Sequence, residues 1–116
     1  MKLGFVEKKT QEVDGTRYTL NRYAIGEYAV SVYDSFYADG SSRHSIEVEE
    51  PRGDTYLPHI YYRNAWFGRE VPTFEIQTTS YGSLKTEDFK KFLEAQRTAL
   101  EVVEVLEAEF GGIQEG

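Results

Sequence analysis

An α+β fold is what this sequence predicts, and two contrasts along the chain carry that reading. The first two thirds break into short, alternating, turn-bounded pieces, whereas residues 87–110 keep one helical period without a breaker. An antiparallel meander sheet of five or six strands, packed on one face by one long C-terminal helix, satisfies both. Short strands joined by tight turns pair antiparallel and leave one face to be covered.

The elements follow in order. Asp14-Gly15 suits a two-residue hairpin turn, because both central positions need positive φ, which Asp and Gly tolerate. Gly26 marks a second turn and "ADGSS" at 38–42 a third. Ile46 and Val48 then alternate with polar neighbours in "RHSIEVEE". Pro51, Gly53 and Pro58 interrupt regularity before an aromatic segment, and Phe74 and Ile76 alternate with Glu75 and Gln77 in "TFEIQTT". Thr86 is the expected helix cap, with Glu87 and Asp88 where the helix dipole favours negative charge. Phe89, Phe92, Leu93, Ala99, Leu100, Val103, Leu106 and Phe110 recur at helical spacing as one apolar face, and Gly111-Gly112 ends it. Such a helix runs to about 36 Å, longer than a usual strand of about 17–20 Å. Val102 and Val105 widen the stripe further. Overhang and width together predict a homodimer with Val102 and Val105 in its interface.

A chain of 116 residues is the usual size of one domain, read here as a sheet over 1–80, a helix over 86–110 and a flexible tail over 111–116. Without cysteine, disulfides and thiolate metal sites are excluded. No apolar run approaches the roughly 20 residues of a membrane helix, and the start turns polar after Val6, so a cytoplasmic address is the default. The net charge of −7 is uneven. Residues 59–86 hold three bases and two acids, giving +1, whereas residues 87–116 hold eight acids and three bases, giving −5. A chain so charged is not expected to bind duplex DNA, which needs clustered Lys and Arg on the phosphates.

Catalytic and metal motifs are sparse. His44 and His59 lie 15 residues apart, without metal-ligand spacing, and neither G-x-S-x-G nor a cysteine nucleophile occurs. Glu47, Glu49, Glu50 and Asp54 could supply a carboxylate pair, and the catalytic alternative is His59 with a nearby carboxylate. No catalytic residue, metal or cofactor is assigned, and a non-enzymatic binding role is expected.

Two segments suit binding. In "HIYYRNAWFGREVP", residues 59–72, rings offer stacking faces and guanidinium groups offer planar cations, a combination that fits nucleotides and single strands. On a strand, Tyr61 and Arg63 face one way and Tyr62 and Trp66 the other, so some rings must be core. Tyr61, Arg63, Trp66 and Arg69 are the ligand candidates, with Trp66 weighed also as a core residue. On the helix, Glu94, Glu101, Glu104 and Glu107, with Arg97 the only base nearby, form an acidic face that can imitate a phosphate backbone towards a basic host or defence protein.

The layout of a turn-rich meander, one long C-terminal helix and no catalytic set resembles small phage and prophage accessory proteins of the counter-defence, anti-CRISPR-like kind. That resemblance implies a stoichiometric inhibitor that blocks a host protein or sequesters a nucleotide. The order of strands then helix also resembles single-strand-binding Whirly-type and coactivator-type domains. Those present a basic sheet, and the early strands here are net acidic.

Overall fold

The computed structural model describes residues 1–53, 55–63, 73–78 and 81–111. Among them, strands β1 (Gly4–Val13), β2 (Thr16–Ile25), β3 (Tyr28–Phe36), β4 (Ser42–Glu49), β5 (Ile60–Arg63) and β6 (Thr73–Ile76) precede helix α1 (Thr86–Phe110). The fold is α+β, with its strands antiparallel.

The tight turns sit where backbone chemistry puts them. Asp14 and Gly15 both take positive φ, 51° and 80°, and close the β1–β2 hairpin. Gly26, at φ 57°, opens the β2–β3 turn, the position where a mirror-image turn demands glycine. Between β3 and β4, the Asp39 carboxylate accepts from the Ser41 hydroxyl at 2.5 Å and its amide at 2.9 Å. These bonds hold the Asp39 carboxyl below its ordinary pKa.

The strands do not form one sheet. β1-β2-β3-β4 is a four-stranded meander, and β5 pairs with β6 in a separate two-stranded ladder. The expected five- or six-stranded meander is thus corrected to four strands plus two. Pro51, Gly53 and Pro58 supply the physical reason. Proline cannot donate to a ladder, and Gly53 takes φ 112°, so β5 begins off the edge of β4. Tyr28 ties this connection down by donating its hydroxyl to the Pro58 carbonyl at 2.6 Å.

One face of the four-stranded sheet makes the core. Val30 lies opposite Tyr23 and Val48, and Val32 opposite Asn21 and Ile46. Ile25, Tyr28, Val30, Val32, Ile46 and Val48 meet Ile60 and Phe74 of the small ladder and Val102, Val103, Leu106 and Phe110 of α1. Beyond Val32 the same face runs on through Asp34 and Phe36, which are not buried. No residue of β1 is buried. The described chain is accordingly elongated, 57 × 31 × 22 Å.

Helix α1 departs from expectation in three ways. Thr86 is its first helical residue rather than its cap; Lys85 holds the cap position in an extended conformation without a side-chain bond. Gly111 keeps a helical φ of −66° and donates to the Glu107 carbonyl at 2.8 Å, so it extends the helical hydrogen bonding instead of turning left-handed; Gly112 lies outside the described residues. Third, the apolar face is two faces. Ala99, Val102, Val103, Leu106 and Phe110 are buried, whereas Phe89, Leu93 and Leu100 are 48%, 50% and 51% exposed. At about 100° per residue, those three fall within about 40° of one another, a second stripe beside the first. Val102 is 0% exposed, enclosed by its own chain. It has no surface to offer a dimer, and Val105 is half-buried against the same core.

Candidate functional site

Strand β5 divides the aromatic segment by alternation. Ile60 and Tyr62 point inward, where Tyr62 packs on Phe74 at 5.1 Å between ring centroids, and burial raises the Tyr62 phenol pKa. His59, Tyr61 and Arg63 point the other way and line up along one edge. The His59 Nδ1 sits 2.6 Å from a Glu50 oxygen, its ring is 4.3 Å from that of Tyr61, and the Arg63 guanidinium lies over Tyr61 at 4.9 Å. Arg63 also donates through Nε to Glu75 at 3.2 Å, across the ladder where Tyr61 opposes Glu75. Trp66 and Arg69, the other two ligand candidates, lie outside the described residues.

The structure thus brings Tyr61 and Arg63 together with three groups that sequence reasoning did not join to them: Glu50, His59 and Glu75. Alternation was enough to place His59 on the face of Tyr61, being two residues away. The carboxylates come from β4's end and from β6, which only the tertiary path discloses. Chemically the cluster is largely self-satisfied. Arg63 meets Glu75, His59 meets Glu50, and the Tyr61 ring is contacted by both a cation and an imidazole. A base or phosphate arriving here competes with contacts already made. The carboxylate beside His59 is Glu50; of the residues expected to supply a carboxylate pair, Asp54 lies outside the described residues.

A second histidine–carboxylate pair stands on the uncovered end of the sheet's core face. His44 of β4 bonds Asp34 of β3, directly opposite in register. Phe36 stacks edge-on to His44 at 6.5 Å and takes the Arg17 guanidinium over its ring at 4.8 Å. Lys8, Thr10, Thr19 and Asn21 complete this polar shelf, beside a shallow groove of about 310 Å³.

Helix α1 is organised differently. Glu94, Glu101, Glu104 and Glu107 are all exposed, and none has an ion-pair partner among the described residues. These four carboxylates run along the helix with the exposed Arg97 among them, near the exposed stripe of Phe89, Leu93 and Leu100. The first half of α1 is anchored from its inner side by Gln96, which donates to the Tyr56 carbonyl at 3.0 Å. Tyr56, Tyr81 and Phe92 pack edge-to-face there at 5.2–6.2 Å.

Comparison with known proteins finds no matching family model, no similar characterised protein and no similar solved structure. The candidate surfaces stand on their own chemistry.

Proposed function

We propose that this chain is a non-catalytic binding protein that docks stoichiometrically onto a basic protein surface through the outward side of α1. One observation carries the reading: the helix buries one apolar face in its own core and leaves a second stripe, Phe89, Leu93 and Leu100, about half exposed, with Phe89 stacked on Phe92 at 6.0 Å. Exposed apolar stripes rimmed by polar groups are the usual mark of an interaction surface. A helix laid into an apolar groove is read through anchors at this spacing. The four unpaired carboxylates beside the stripe specify the partner's charge, because complementary potentials steer encounter and penalise wrong partners. A second copy of this chain would set acid against acid, so the fitting partner is a different, basic protein. Stoichiometric blocking of a host or defence protein, as in the phage accessory proteins that the layout resembles, is the mode this surface suits.

The test is affinity capture from candidate host extracts with quantitative mass spectrometry, comparing wild type, a triple Glu94→Lys/Glu101→Lys/Glu104→Lys variant and a Leu93→Ser/Leu100→Ser variant. A basic protein held by the wild type should be lost by both variants. It should also be released at about 0.5 M salt, where screening shortens to a few ångströms. Retention that is equal across all three proteins contradicts the docking face.

A nucleotide or single-strand reading draws on the co-facial His59, Tyr61 and Arg63. The Arg63–Glu75 and His59–Glu50 contacts weigh against it, since they already occupy the groups an anion would need. Calorimetry with a nucleotide panel on wild type and Arg63→Ala decides it: binding lost with Arg63 would favour this second reading.

A further inference from the structure

We propose that β1 pairs antiparallel with β1 of a second copy across a two-fold axis through Thr10, joining two four-stranded sheets into one of eight strands. Among the described residues, β1 is the terminal strand of its sheet and pairs only with β2. Its free edge is ten residues long, none of them buried. Phe5 and Val6, at 62% and 58%, are the most exposed large apolar side chains among the described residues. A long open edge is a template for strand addition, which natural proteins either block or use.

The sequence of β1 indicates use. A two-fold axis normal to an antiparallel sheet sets one residue opposite its own copy, so each choice of central residue fixes every other pair. Centred on Lys8 or Lys9, the axis would force a lysine against itself. Centred on Gln11, it would set Thr10 against Glu12 and Lys9 against Val13. Centred on Thr10, it places Thr10 against Thr10, Lys8 against Glu12 and Glu12 against Lys8, with Lys9 opposite Gln11. Opposite charges and paired threonines are favourable cross-strand neighbours. Lys8 and Glu12 are also the available charges. Neither has an ion pair among the described residues, whereas Glu7 is engaged by Lys9 and Arg22, each at 3.6 Å. Lysines normally discourage edge pairing, but in this register each central-face lysine meets a glutamate. The β-bulge between Phe5 and Glu7 falls just before the paired run of 7–13 and does not interrupt it.

Sedimentation equilibrium over a concentration series tests the pairing. The wild type should be dimeric. Lys8→Glu and Glu12→Lys should each weaken association on the order of tenfold or more, because symmetry repeats every like-charge contact. The combined swap should restore it to within a few-fold of wild type. Cross-linking gives an independent reading that does not depend on charge. The chain has no cysteine, so Thr10→Cys introduces a single thiol, and facing positions about 5 Å apart are within disulfide reach. Mild oxidation should give a covalent dimer from Thr10→Cys and none from Tyr33→Cys. A monomeric wild type, single variants that stay dimeric, or a swap that fails to restore association would each overturn the proposal.

Discussion

Tyr28 concentrates several constraints in one side chain. Its ring lies in the core, and its hydroxyl donates to the Pro58 carbonyl, binding β3 to the connection that leads into the small ladder. Burial raises its pKa above the ordinary tyrosine value, and the negative charges of Glu50 and Glu27 add to the effect. The fold therefore holds the neutral phenol more tightly than the unfolded chain does. The stability this supplies is complete below the unfolded tyrosine pKa of about 10 and is lost as pH rises beyond it. Tyr28→Phe should cost about 1–3 kcal/mol at neutral pH, since a buried carbonyl loses its donor. That deficit should narrow above about pH 10, where only the wild type carries the penalty. Urea denaturation of both proteins at neutral and alkaline pH checks the sign; a deficit independent of pH would contradict it. At this scale the sequence was informative where alternation applied. It separated Tyr62 from Tyr61 and Arg63 correctly, because period two in a strand fixes opposite faces. It did not reveal Tyr28's partner, thirty residues away.

The helix teaches a different lesson. Its length and period were legible in the sequence, but the centre of its apolar stripe was not. Apolar residues from Phe89 to Val105 cover so much of the circumference that the inward direction has more than one solution. The sheet selects the arc holding Val102, Val103 and Leu106, which turns Val102 into core and leaves Phe89, Leu93 and Leu100 outside. Leu106→Ala should then cost about 2–5 kcal/mol, as for large-to-small changes in a packed interior. Leu100→Ser should stay within about 0.5 kcal/mol, as surface changes do. Chemical denaturation of the two variants separates them; comparable losses would mean that the outer stripe also supports the fold. The sheet's division was legible only in part. Pro51, Gly53 and Pro58 announce a break, yet whether the chain rejoins the same sheet afterwards is set by the packing of Ile60 and Phe74, not by local propensity.

For the whole molecule, the two proposed binding surfaces differ in charge. The β1 edge carries both signs in a self-complementary order and suits its own copy. The outward side of α1 is net acidic, with the exposed Arg97 among its glutamates, and suits a different, basic partner. Among the described residues, no helix is long and apolar enough to cross a membrane. A β1-paired dimer would carry two copies of the α1 face, so a partner with two basic sites would gain from simultaneous engagement if the spacing allowed it. The most direct measurement of the docking claim is site-specific photo-cross-linking in a producing cell, with a photoreactive residue at position 100 and, as control, at position 33 on the open face of the sheet. Position 100 should yield a discrete adduct with a basic protein, lost when Glu94, Glu101 and Glu104 are changed to Lys, while position 33 yields none. An adduct from position 33 but not from position 100, or an acidic partner at position 100, would contradict the assignment of α1 as the binding element.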